Sequence, residues 1–225
     1  MDPKERAARS AVAEVQSGQI LGLGTGSTAM RALQALADRI QTEKLEVIGV
    51  PTSVATQKEC ERLGIPLTTL DVHPELDLAF DGADQVDARL AVIKGYGGAL
   101  LREKIVARCA ERLLIMVDTS KLVEKLHIAV PVEIVPFGLG AAWRRLEGLG
   151  GKPRLRLASG VPYVSDNGNQ ILDVDFGVIE DPAALAARID TIPGVMDHGL
   201  VVGLVNEVHV ADAASARVIR SSDRR

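Results

Sequence analysis

At 225 residues and 47% hydrophobic content, the chain can bury a real core as one large domain or two smaller ones. A formal net charge of -4, with both signs mixed along the chain, excludes the concentrated basic face of a sequence-independent nucleic-acid binder. The charged start Met1-Asp2-Pro3-Lys4-Glu5-Arg6, the lack of any membrane-length apolar run, and two isolated cysteines (Cys60, Cys109) predict a reduced, cytoplasmic protein without membrane contact.

In chain order, periodicity predicts an amphipathic helix over about 4–15 and a short buried strand from Ile20 to Leu23. Gly24-Thr25-Gly26 then opens a helix over 27–40 that Ser27 or Thr28 can cap. Next come a strand over 45–50, a helix over 53–63 and strands over 66–70, 76–80 and 89–94, then a helix over 99–110 and a strand over 113–117. This alternation predicts an α/β fold: a Rossmann-like, mostly parallel sheet flanked by helices, whose carboxyl-end loops converge on one crevice. From about Ala129 the order becomes strand, helix, two or three strands, helix, strand, a split β-α-β-β-α-β pattern of the ferredoxin-like kind. The expected division is therefore 1–128 with 204–225 as the Rossmann-like catalytic domain and 129–203 as a small ferredoxin-like α+β domain. The segment 207–210 is expected to return to the first sheet, and the basic tail 220–225 to be a solvated end.

Gly22-Leu-Gly-Thr-Gly-Ser-Thr-Ala29 joins strand to helix, the setting in which backbone amides and the helix dipole hold phosphate. The frame Gly24-x-Gly26-x-x-Ala29 meets a loose dinucleotide fingerprint. The strand end Gly49-Val50-Pro51-Thr52-Ser53 lacks the acid that a ribose would need, and no Walker lysine is present, which weakens a nicotinamide-dependent dehydrogenase or a triphosphate site. What remains is Thr25, Gly26, Ser27 and Thr28 around a helix N-terminus, suited to one terminal phosphate or, less specifically, to simple capping.

Asp81-Gly82-Ala83-Asp84 follows an apolar strand and places two carboxylates at the crevice, able to share protons or hydrogen-bond sugar hydroxyls. Magnesium is disfavoured there because no third acid is nearby in sequence. Lys94-Gly95-Tyr96-Gly97-Gly98-Ala99 leads into a helix carrying Glu103. Backbone donors, the Lys94 ammonium and the Glu103 base are the parts needed for proton transfer beside a carbonyl; a solvated strand-turn-helix joint is the alternative. Lys121, after another strand end, offers a cation for phosphate. His73, His127, His198 and His209 lack ligand spacing and read as structural.

Together these segments, with Pro51-Thr-Ser53, Asp118-x-Ser-Lys121, Pro131-Val-Glu-Ile-Val-Pro136 and Asp166-Asn-Gly-Asn169, resemble the type A ribose-5-phosphate isomerase family over nearly the whole chain. The resemblance implies a cofactor-free, metal-free aldose-ketose isomerase of the non-oxidative pentose phosphate pathway. It implies a sugar phosphate as its small-molecule partner, and a homodimer or dimer of dimers. It also implies Glu103 as the base, Asp81, Asp84 and Lys94 in ring opening and at the reacting oxygens, and Thr25 to Thr28 and Lys121 at the substrate, chiefly its phosphate, with Lys4 as a helper. Tyr96 stands where a glycine is common and Gln85 where an acid is usual. A non-catalytic sugar-phosphate sensor, which shares this kind of sheet, is the rival reading.

Overall fold

The computed structural model describes residues 1–221; the end of the basic tail, 222–225, lies outside the described residues. The chain divides into two compact units, one of Met1–Ala83, Arg102–Leu122 and Leu204–Arg225, the other of Asp84–Leu101 and Val123–Gly203.

The first unit is built on a six-stranded sheet ordered Ala216–Arg220, Glu207–Ala211, Ala110–Asp118, Leu76–Gly82, Ile20–Leu23, Ile48–Pro51. All its pairs are parallel except the edge pair Glu207–Ala211 with Ala216–Arg220. The strand order reverses between Ile20–Leu23 and Leu76–Gly82, so the loops after Leu23 and Phe80 meet at the switch point where such sheets bind ligands. Leu21, Leu23, Leu78, Phe80, Leu114 and Met116 are fully buried in one core with Ala7, Ala8 and Ala11 of helix Pro3–Val12 and Ala32, Leu33 and Leu36 of helix Ser27–Glu43. Each leucine so buried stabilises the unit by about 1.5–3 kcal/mol. Burial in this core pushes the Cys60 thiol up to about 12, which keeps it an inert packing group.

The second unit contains a four-stranded antiparallel sheet ordered Val195–His198, Val130–Ile134, Gln170–Asp175, Lys152–Leu155, with helices Leu139–Gly148 and Pro182–Asp190. This is the ferredoxin-like order expected from the strand-helix pattern. A three-stranded antiparallel sheet of Leu200–Val201, Val92–Ile93 and Gln85–Val86 completes it.

That small sheet is why the units differ from the expected division over 84–101 and 123–128, both of which group with the second unit. Gln85 contributes: its Oε1 accepts from the N–H of His127 at 2.9 Å and of Ile128 at 3.2 Å, and Val123 N–H donates to Val86 O at 2.9 Å. Other elements also depart from expectation. The segment 66–70 forms only a bridge between Leu67 and Gly49, and the expected strand 89–94 is cut to Val92–Ile93 because Leu90 turns through φ 62°. Ala216–Arg220, for which the sequence predicts no strand, is an edge strand, so Arg220 belongs to it and not to the solvated tail. Among the described residues no helix is long and apolar enough to cross a membrane.

His209 is fully buried on strand Glu207–Ala211, with Nδ1 2.8 Å from Ser10 Oγ and Nε2 3.8 Å from Glu207 Oε2. Burial pushes its imidazole below the ordinary 6.5, outweighing the upward pull of Glu207 and Glu14; Arg220 and Arg112 add to the fall. The unfolded chain therefore takes the proton first, and stability falls as pH drops from about 6.5 towards the folded value, by up to about 1.4 kcal/mol per pH unit. Urea midpoints measured from pH 7 to pH 5.5 should show this decline, and His209→Gln should flatten it; parallel declines in both proteins would exclude His209 as the cause.

Candidate active site

In the first unit the glycine loop sits over a lattice of hydroxyls. Thr25 Oγ1 lies 2.7 Å from Thr52 Oγ1, 2.9 Å from Ser53 Oγ and 3.0 Å from Thr56 Oγ1. Thr52 and Thr56 are anchored in turn on the carbonyls of Leu23 and Gly24. Ser53 caps helix Val54–Leu63 by accepting from the N–H of Thr56 at 3.0 Å. The strand end that lacks a ribose-binding acid thus has another task, which is to brace the loop.

Helix Ser27–Glu43 begins from Gly26 at φ 103° with no side-chain cap, so neither Ser27 nor Thr28 takes the expected capping role. An uncapped 17-residue helix presents its first N–H groups and its positive end to an anion. Asp2 caps helix Pro3–Val12 and sets Lys4 so that its Nζ donates to Ser27 Oγ at 3.1 Å. Gly82 also belongs here: a Cβ on it would lie 3.8 Å from Thr28 Cβ. Lys121 is half-buried in the turn Thr119–Lys121, which Asp118 caps by accepting from Ser120 N–H at 2.9 Å. That turn follows strand Ala110–Asp118, whose Ile115 and Met116 lie beside Asp81 and Gly82.

Asp81 is only 4% exposed, and its Oδ1 accepts from the N–H of Thr25 at 3.1 Å and of Gly82 at 2.7 Å. It therefore ties the glycine loop to the neighbouring strand end. Glu103, 5% exposed in the first turn of helix Leu100–Cys109, lines one small cavity together with Asp81, Gly22, Gly24, Thr52, Ala79 and Val106. Gly22 is required for that approach, since a Cβ there would fall 2.5 Å from Val106 Cγ1. Two carboxylates, one at a strand end and one on a helix, thus share a desolvated space beside an anion-attracting loop.

In the second unit Lys94 is 5% exposed, and its N–H donates to Gly199 O at 2.8 Å while Gly199 N–H donates to Pro131 O at 2.7 Å. The loop that follows turns at Gly95 (φ 103°) and Gly98 (φ 81°). Tyr96 N–H donates to Asp84 Oδ2 at 3.2 Å, which brings Asp84 to the loop, and Tyr96 Oη donates to Ala129 O at 3.1 Å. Tyr96 is accommodated half-exposed, with its hydroxyl on Ala129 O and its ring against the Arg156 guanidinium. Gly97 lies between Tyr96 and the Gly98 turn, and Ala83 closes the first unit's part of the Asp81–Asp84 segment.

Each unit thus draws its own expected residues together: Lys4, Thr25 to Thr28, Asp81, Gly82 and Glu103 in the first, Asp84 and Lys94 to Gly97 in the second. Sequence reasoning did not find the bracing role of Thr52, Ser53 and Thr56, although three hydroxyls just beyond a strand end were a signal. It did not find Arg156, for which no local signal exists.

One group among the described residues has metal-ligand chemistry: Asp190, Asp197 and His198, with ligand atoms within 4.8 Å of one another. Leu200 N–H donates to His198 Nδ1 at 3.2 Å, which leaves the proton on Nε2, 3.1 Å from Asp190 Oδ1. That tautomer makes Nε2 a donor to a carboxylate and not a metal ligand.

The family model for Ribose 5-phosphate isomerase A (phosphoriboisomerase A) matches residues 48–215. Ribose-5-phosphate isomerase A of Roseiflexus castenholzii is 54% identical over 212 residues, covering 92% of this chain and 91% of the relative. That of Gloeobacter violaceus is 50% identical over 222 residues, covering 97% and 96%. Among solved structures, ribose 5-phosphate isomerase A of Methanocaldococcus jannaschii superposes with a TM-score of 0.92 at 40% identity, covering 96% of this chain and 97% of that one. A D-ribose-5-phosphate isomerase in complex with phospho-erythronic acid superposes at 0.93 with 33% identity, covering 96% and 97%.

Proposed function

The chain belongs to the ribose 5-phosphate isomerase A family, and we infer from that premise how its own residues carry out the isomerisation. It interconverts D-ribose 5-phosphate and D-ribulose 5-phosphate. The observation that carries the mechanistic reading is the pairing of Glu103 with Asp81 around one desolvated cavity beside the uncapped Gly24–Thr28 loop.

The phosphate docks on the N–H groups of helix Ser27–Glu43, with Lys4, Thr25, Ser27, Thr28 and Lys121 supplying hydroxyls and positive charge. The cyclic sugar opens when a proton leaves its anomeric hydroxyl and another reaches the ring oxygen, work assigned to Asp81, Asp84 and Lys94. Glu103 then removes the proton from C2 of the open aldose. The electron pair moves onto O1 to give an enediolate, the O2 hydroxyl proton passes to O1, and Glu103 returns its proton to C1 as the C2 carbonyl forms, which gives the ketose. Lys94 and backbone N–H groups of the glycine loop that follows it hold the negative oxygen. A single base on one face of the substrate serves both transfers, and no step calls for a redox cofactor.

The direct test is to mix dialysed protein with ribose 5-phosphate alone and follow ketose formation. Ketose should accumulate to equilibrium, and a folded protein that forms none would refute the activity. For the phosphate site, Lys121→Ala and Thr28→Ala should each raise KM by about tenfold and lower kcat by less, while unphosphorylated ribose should be a very poor substrate. Equal turnover of ribose and ribose 5-phosphate would count against a phosphate anchor. We further propose a cytoplasmic homodimer or dimer of dimers, the assembly implied by the sequence resemblance. Light scattering on eluting protein checks the assembly.

A further inference from the structure

Arg156 lies just beyond strand Lys152–Leu155, far in sequence from the Lys94 loop. Its backbone is fixed by Arg156 N–H donating to Ile171 O and by Tyr163 N–H donating to Arg156 O, each at 2.9 Å. Its side chain is 12% exposed and grips Asp173 by two points: Nε donates to Oδ2 at 3.0 Å and Nη2 donates to Oδ1. A two-point fork of this kind locks the guanidinium plane. The remaining nitrogen, Nη1, is thereby aimed at the loop, where it donates to Gly95 O at 2.8 Å and to Tyr96 O at 3.3 Å. The same guanidinium lies 5.8 Å from the Tyr96 ring centre and 6.0 Å from that of Tyr163. Tyr163 Oη fills the space beside Gly98, where an added Cβ would come within 2.1 Å of it.

In a trans peptide the C=O and the following N–H point in opposite directions. With Gly95 O turned to Arg156, Tyr96 N–H faces the other way, where it meets Asp84 Oδ2. With Tyr96 O turned to Arg156, Gly97 N–H is likewise sent away from the guanidinium. Gly98 N–H also donates to Gly95 O at 3.0 Å, so the turn itself favours this polarity at the Gly95–Tyr96 peptide and Arg156 reinforces it. At the Tyr96–Gly97 peptide, eased by the flanking glycines, Arg156 Nη1 holds the carbonyl. A rotated peptide would present a carbonyl where a developing negative oxygen needs a donor.

We propose that Arg156, held by Asp173, is the positioning residue that fixes the polarity of the Gly95–Tyr96 and Tyr96–Gly97 peptides, so that Tyr96 N–H holds the Asp84 carboxylate and Gly97 N–H faces the enediolate oxygen. The proposal rests on the reading that the Lys94 loop serves the isomerase reaction. Tyr96 is part of the device: its ring stacks on the cation and its hydroxyl is tied to Ala129, which compensates for a bulky residue in a turn usually made of glycines.

The test compares wild type, Arg156→Ala, Arg156→Lys and Asp173→Asn, with Lys94→Ala and Glu103→Gln as references. Ribose 5-phosphate supplies kcat and KM; phospho-erythronic acid, whose carboxylate mimics the enediolate oxygens, and inorganic phosphate serve as inhibitors. Arg156→Ala should lower kcat at least about tenfold with KM changed less than about threefold. Its inhibition constant for phospho-erythronic acid should rise by the same factor as kcat falls, while that for inorganic phosphate stays put. Arg156→Lys, which keeps the charge but loses the fork, should recover little, and Asp173→Asn should lie between. A folded Arg156→Ala protein with kcat within about twofold of wild type would overturn the proposal, as would equal weakening of both inhibitors, the sign of general distortion. If Arg156→Ala does not fold, Arg156→Lys decides by the same readouts. Normal turnover by Lys94→Ala and Glu103→Gln would instead sink the underlying reading of the site.

Discussion

Glu103→Gln should lower kcat by at least about a hundredfold while KM stays within a few-fold of the parent value. The substitution keeps the shape and most of the hydrogen-bonding capacity of a side chain that is 5% exposed, and removes only its basicity. Because Glu103 shares its cavity with Asp81, the alternative is that Asp81 is the base and Glu103 merely shapes the pocket. The two assignments separate on a second readout. When the reaction is run in deuterium oxide, Glu103→Gln should all but abolish solvent exchange at C1 and C2, whereas Asp81→Asn should impair turnover of the cyclic sugar more than exchange on the open-chain form. Near-normal turnover or exchange by folded Glu103→Gln would move the base elsewhere.

Much of the fold was legible because its signals are local. The strand-glycine-helix punctuation at Ile20–Leu23 and Gly24, and the apolar run ending at Asp81, each announce themselves within ten residues. They are also the elements that place the phosphate loop and the first carboxylate at the switch point. The misreadings share one cause, pairing that only the tertiary structure decides. Residues 66–70 carry strand-like composition but find a partner only at Gly49, and Leu90 is forced through a left-handed turn inside an apolar run. The three-stranded sheet of Gln85–Val86, Val92–Ile93 and Leu200–Val201 joins segments more than a hundred residues apart in two-residue strands too short to show a period, which is why 84–101 was expected in the wrong unit. The site divides in the same way. Residues whose chemistry is titratable or glycine-rich could be named from spacing, but Thr52, Thr56 and Arg156 act by bracing a loop, and bracing leaves no trace in local spacing.

The second large effect concerns geometry without any change of charge. Gly24→Ala should reduce kcat by about a hundredfold or more and cost about 1–3 kcal/mol of stability. A Cβ at this position would lie 2.3 Å from Asp81 Oδ1, 2.4 Å from its Cγ and 2.6 Å from Phe80 O, all well inside contact distance. None of these atoms can yield cheaply. Gly24 N–H donates to Phe80 O at 3.0 Å, which clamps the two strand ends together, and Phe80 is fully buried. The Asp81 carboxylate is held by the N–H groups of Thr25 and Gly82, so relief must come from driving it out of its seat and the loop with it. Gly18→Ala is the control: Gly18 sits at φ 89° with nothing within 4 Å of an added Cβ, so the change imposes backbone strain of similar size and touches no site residue. Both variants should lose stability by denaturant titration, but only Gly24→Ala should lose turnover. A Gly24→Ala protein retaining kcat within about threefold of the parent would show that the seat of Asp81 against the glycine loop is not needed for catalysis.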